Sequence, residues 1–186
     1  MGDGGPPGAV LRKLVAEAVG VDGAALLDAV DLVERGDDPG PAARLPALVD
    51  SGDAVVGVVP RADTGLARRL LGSGDGGDAG GDDGGDDDRG DGGDGGTVRL
   101  VFTGRAANRF TGPSGAVLRS VLAEHGVEAY RHDGDSPIGV LLVDDRAVVG
   151  LFDESGLAAL LWADAPTVRE WAAATCRRYL SAAEPA

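Results

Sequence analysis

Three short apolar runs near the end of the chain, IGVLLV (138–143), AVVGLF (147–152) and LAALLW (157–162), are joined only by DDR and DESG. Runs of this length read as buried strands. Connections this short make hairpins, so the three strands form an antiparallel meander. Any fold for this chain has to accommodate that unit.

The middle of the chain has a different rhythm. AVVGVV (54–59), closed by Pro60, is a continuous apolar run and predicts a buried strand. TGLARRLLG (64–72) places Leu66, Leu70 and Leu71 on one helical face. TVRLVFT (97–103) alternates as a strand does, and SGAVLRSVLAEHG (114–126) predicts a helix. Its apolar stripe would be Val117, Leu118, Val121 and Leu122, with Ser114 as cap and Gly126 as stop. VEAYR (127–131) is a third strand. The order strand, helix, strand, helix, strand is that of a parallel sheet. The predicted class is therefore α/β: a parallel βαβαβ core plus a C-terminal antiparallel meander, covered by helices.

The last segment, DAPTVREWAAATCRRYLSAAEP, is the strongest helix signal. Asp164 is placed to cap it, Pro166 lies in its first turn, and Thr167 and Glu170 have capping-box spacing. Val168, Trp171, Ala172, Thr175, Cys176 and Tyr179 form its packing face. The N-terminal third predicts an amphipathic helix over 9–20, then helix 24–29, strand 31–35 and helix 42–50.

Between the predicted helix 64–72 and the strand at 97 lies GSGDGGDAGGDDGGDDDRGDGGDGG (72–96). An EF-hand would need a Glu at the twelfth loop position, and no register supplies one. A calcium β-roll would need an aliphatic residue after each acidic turn, and none is present. Glycine maximises chain entropy and aspartate maximises hydration, so 72–96 is expected to be a disordered surface loop without a metal. The expected organisation is a tail and helix over 1–23 and one α/β domain over 24–186.

Net charge is −14, and Lys13 is the single lysine. That balance opposes unassisted binding to nucleic acid and anionic membranes, and it suits a high-salt cytoplasm. No run approaches 18 apolar residues and MGDGGPPG has no signal-peptide character, so the chain is expected to be soluble and cytoplasmic. A helix-turn-helix reading of LVAEAVGVDGAALLDAVDLVERG puts Ala16, Gly20, Val21, Leu26, Val30 and Val33 at core positions. Its recognition helix would present Asp28, Asp31 and Glu34, the wrong charge for phosphates and base edges.

Catalytic patterns are absent from the sequence. There is no Gly-x-Ser-x-Gly elbow and no P-loop. A phospholipase-D nucleophile needs His with Lys two residues later, and neither His125 nor His132 has one. His125 reads as a helix-end residue beside the dipole. No metal or cofactor is expected. The residues at the carboxyl ends of the parallel strands form the candidate ligand site: Arg61, Arg105, Asn108, Arg109, Arg131 and His132, with Asp63 and Asp133 nearby. They serve equally an alternative reading, a small α/β enzyme or small-molecule binder.

Residues 136–185, SPIGVLLVDDRAVVGLFDESGLAALLWADAPTVREWAAATCRRYLSAAEP, resemble the end of an effector domain. The family is the middle domain of archaeal methanogenesis regulatory proteins and their haloarchaeal relatives, akin to TrmB-like helix-turn-helix regulators. The carrying features are Pro137-Ile138-Gly139, the two hairpins, Asp164 with Pro166, and Glu170, Trp171, Ala172, Tyr179, Glu184 and Pro185. DPGPAARLPALVDSGDAVVGVVP (38–60) resembles the family's helix and first core strand, which favours strand over helix-turn-helix at 31–35. The resemblance covers about residues 24–186, densely after 97. It implies a phospholipase-D-like or nucleotide-fold-like sheet without an active site. It also implies a non-catalytic regulatory domain that senses a small-molecule effector or mediates dimerisation. A winged helix is not recognisable in the chain. The expected partners are therefore a second copy or a full-length regulator, with direct DNA binding doubtful and no membrane.

Overall fold

The structure is a computed structural model and describes residues 5–50, 52–61 and 97–186. The predicted helix 64–72 and the Asp/Gly run 72–96 lie outside the described residues. In chain order the elements are α1 (Pro7–Val19), α2 (Gly23–Leu27), β1 (Asp31–Glu34), α3 (Pro41–Val49) and β2 (Val55–Val59). They continue with β3 (Val98–Phe102), α4 (Gly104–Asn108), α5 (Pro113–Glu124), β4 (Val127–Arg131) and β5 (Ile138–Val143). The chain closes with β6 (Arg146–Asp153), β7 (Gly156–Ala163), α6 (Pro166–Ala182) and β8 (Glu184–Pro185).

These strands form a single sheet in the order β1-β7-β6-β5-β2-β3-β4-β8. β2–β3 and β3–β4 are parallel, and β5, β6 and β7 are the antiparallel meander. Both halves of the expected α/β architecture therefore join edge to edge through the antiparallel pair β2–β5.

Continuous apolar runs are explained by helices on both faces. Along β5 to β7, Leu141, Val148 and Leu160 face one core, shared with Leu45 of α3 and Leu122 of α5. Val140, Val149 and Leu161 face the other, shared with Leu11 of α1 and Val168 of α6. The two-residue period of a strand sends neighbours to opposite faces, and here both faces are dry. Helix α1 is part of this packing, with Leu11 and Val15 fully buried. Among the described residues, no helix is long and apolar enough to cross a membrane.

Several local expectations are corrected. Ser114 does not cap α5; Gly112 is the N-cap and Pro113 opens the helix. Proline, lacking an N–H, suits that first turn. Val117 is 66% exposed, while Gly115 and Leu122 are buried and Leu118 is partly buried. A Cβ at Gly115 would collide with the Phe110 carbonyl, so α5 approaches its neighbours along the Gly115–Leu118–Leu122 line. Asp164 does not cap α6, whose N-cap is Ala165. Its carboxylate instead takes two bonds from Arg146, at 2.8 and 3.1 Å, and these hold it below the ordinary carboxyl range. A bidentate, charge-assisted pair outcompetes a cap. Trp171 is only half-buried, and the fully buried residues of α6 are Val168 and Ala172. The stretch 104–108, for which the sequence predicts no helix, forms α4, which buries Ala106 and Ala107.

The helix-turn-helix alternative is not formed. Its second helix is the five-residue α2, and the chain then enters β1, which pairs with β7.

Candidate functional site

Strand β2 lies at the centre of the site. After β2 the chain builds outward through β3 and β4, then returns to start β5 on the other side of β2. The carboxyl end of β2 is thus the point where the strand order reverses, the place where open α/β sheets gather ligands. Because β5 is antiparallel, its first residues lie beside that end, and Val58 faces Val140.

Gly139 of β5 lies directly opposite Gly150 of β6, and Gly150 opposite Leu160 of β7. Both glycines share the face of Leu141 and Val148. Two adjacent strands therefore lack side chains at one level, and a recess opens over them. Phe152 and Leu157 lean in from the β6–β7 hairpin: a Cβ on Gly139 would lie 3.0 Å from the Phe152 ring, and one on Gly150 2.9 Å from Leu157. What remains is a partly open void of about 30 Å³, walled also by Val58, Val59 and Leu45, and its surface is almost entirely carbon.

Charge collects at the rim. Arg61, two residues after Val59, donates to the backbone carbonyl of Asp153, next to Phe152. Arg35, just past β1, makes two bonds to the Asp153 carboxylate, at 2.7 and 2.9 Å. Those bonds lower the carboxyl's pKa from its ordinary value. Two guanidinium groups thus meet at one carboxylate.

The other candidates from the strand ends are spread apart. Arg105 and Asn108 are exposed on α4, and Arg109 is exposed at its end. Arg131 is 3.9 Å from Glu184 of β8. His132 accepts a 2.8 Å bond from the Gly134 N–H through Nδ1, and its ring packs edge-on against Tyr179 of α6 at 5.0 Å. Asp133 is exposed, and Asp63 lies outside the described residues. Arg61 is the one of these that bonds beside the recess, at the carbonyl next to Phe152. Nδ1 of His125 is 2.8 Å from the Val121 carbonyl, a helix-end contact. Among the described residues there is no group of three or more His, Cys, Asp and Glu able to hold a metal. Cys176 is buried, and desolvation pushes its thiol up to about 12.

The glycine pair was missed in reading the sequence for a site. The available signal was glycine inside a strand run, which marks a bulge or close approach. Thr103, at the end of β3, is a further buried feature: its hydroxyl has no partner among the described residues. Thr103→Val removes that hydroxyl with little change of shape, so stability should hold or rise, by up to about 3 kcal/mol. Urea unfolding checks it, and a loss above about 1 kcal/mol would mean that the hydroxyl is bonded.

The fold is of the phospholipase-D-like α/β class. The chain superposes on a phospholipase D family member, Nuc from Salmonella typhimurium, with a TM-score of 0.58 and 12% identity, covering 84% of this chain and 97% of that one. NucT from Helicobacter pylori gives 0.59 at 12% identity, covering 84% and 98%. Residues 92–182 match the family model described as methanogenesis regulatory protein FilR1, middle domain. TrmBL2, an archaeal chromatin protein whose structure shows a novel mode of DNA binding, superposes with a TM-score of 0.55 at 12% identity over 96% of this chain. The chain spans 62% of the length of TrmBL2. Among curated proteins no sequence matches.

Proposed function

We propose that this chain is a non-catalytic, ligand-sensing domain that serves a TrmB-like transcription regulator, paired with a second copy or a full-length partner. The observation that carries the reading is the family match over residues 92–182. Consistent with it, both histidines are tied into local backbone contacts, and neither is followed two residues later by lysine. DNA contact is assigned to the partner. Net charge here is −14, and α2 is too short to read a groove.

The competing reading is a phosphodiesterase-like enzyme, favoured by the likeness to a phospholipase D family member. The test is hydrolysis of bis(p-nitrophenyl) phosphate by the chain and by His125→Ala and His132→Ala variants. No turnover above buffer is expected from any of the three. Turnover that either substitution abolishes would overturn the non-catalytic reading. A sequence-dependent shift of duplex DNA by the purified chain, lost when residues 23–34 are replaced, would overturn the assignment of DNA contact to the partner.

A further inference from the structure

Glycine in the interior of a strand is costly, because it orders a flexible backbone and packs nothing. Gly139 and Gly150 do this side by side, in the two strands next to the point where the strand order reverses. Filling either position by one carbon would press on Phe152 or Leu157, both flexible side-chain ends rather than backbone. The recess above them is therefore kept open by the sequence and can enlarge by rotation of those two side chains. Its wall offers carbon and almost no polar atom, so it cannot recognise a sugar or a nucleobase by hydrogen bonds. The neighbouring charge is different in kind. Arg61 spends a bond on a neutral carbonyl, and Arg35 is satisfied by Asp153. Among the described residues, two guanidinium groups thus share the one carboxylate of Asp153, which leaves an excess of positive charge beside the recess in a chain of net charge −14.

We propose that this recess binds a small amphipathic carboxylate: a short or branched aliphatic body over Gly139 and Gly150, and a carboxylate on Arg61. The proposal rests on the ligand-sensing reading and names the class of molecule sensed. Size and charge act together. The void of about 30 Å³ admits only a few carbon atoms before Phe152 and Leu157 have to turn. A cavity of about 150 Å³ is needed for benzene. Arginine matches a carboxylate with two parallel hydrogen bonds, which fixes the body's orientation.

The test uses the full chain and isovalerate, followed by isothermal titration and by the shift in unfolding temperature. Acetate supplies the charge without the body, and isoamyl alcohol the body without the charge. Saturable binding of isovalerate is expected, with acetate and the alcohol at least about tenfold weaker. Arg61→Gln, at a half-buried position, should weaken isovalerate at least about tenfold and leave the alcohol unchanged. Gly150→Ala should weaken both. If Gly150→Ala does not fold, the Arg61→Gln comparison decides alone. Isovalerate binding that neither substitution alters would place the ligand elsewhere and overturn this site while leaving sensing intact. If isovalerate fails and a sugar or nucleotide panel binds, the ligand class is wrong. If nothing in either panel binds, the ligand-sensing reading itself falls.

Discussion

Leu161→Ala should lower the free energy of unfolding by about 2–5 kcal/mol. Leu161 is fully buried in β7 and packs in the core shared with α1 and α6. Removing its side chain forfeits the transfer energy of the lost carbons and leaves a hole whose walls, strands on one side and two helices on the other, close only partly. Against a typical total of about 5–15 kcal/mol, that is a large fraction. Val10→Ala, on the outer side of α1 at 36% exposure, is the control and should change stability by less than about 0.5 kcal/mol. Denaturant titration of both variants measures the difference. Equal small effects would mean that β7 and α1 do not enclose a common core.

Gly115→Ala carries the second large effect, and its sign is opposite to the helix-propensity rule. Inside a helix, glycine to alanine ordinarily stabilises by about 0.5–1 kcal/mol. At Gly115 the new Cβ would run into the carbonyl and carbonyl carbon of Phe110. Those are backbone atoms on the approach to α5, and they cannot rotate aside as a side chain would. Phe110 is itself anchored, with its ring 4.7 Å from that of Phe102 in β3. Overpacking of this kind costs about 1–3 kcal/mol, which exceeds the propensity gain, so a net loss is expected. Thermal unfolding of Gly115→Ala beside Gly112→Ala, where a Cβ meets nothing but the backbone is left-handed, separates the contact from the conformational penalty. A stabilised Gly115→Ala would show that α5 stands further from Phe110 than described.

The meander was fully legible in the sequence. Each of its strands is a short apolar run set off by turn or charged residues such as Pro137, Asp144, Asp145, Glu154 and Ser155, and the boundaries moved by no more than a residue. Helix α6 was equally plain. The errors cluster where a local rule competed with a distant partner. Asp164 had every local reason to cap α6 and went to Arg146 instead. Val117 fitted the apolar stripe of α5, yet Gly115, with no side chain to score, faces the core. Of the six strand-end residues proposed for a ligand, only Arg61 bonds beside the recess, to a carbonyl 92 residues further on. Strand β8 was not read at all, since two residues carry no pattern and its pairing with β4 is a long-range event.

Apart from α4 and β8, which described segments become strands and helices follows from periodicity and residue chemistry. Such signals are local: an apolar run, a turn residue or a missing lysine is legible within a few positions. The joining of the parallel and antiparallel halves through β2 and β5, the choice of core for each helix, and the register that sets Gly139 opposite Gly150 belong to the tertiary structure. A one-residue slip of β5 against β6 would leave every local pattern unchanged and remove that pairing, because register is selected by the packing of whole faces and not by any single residue.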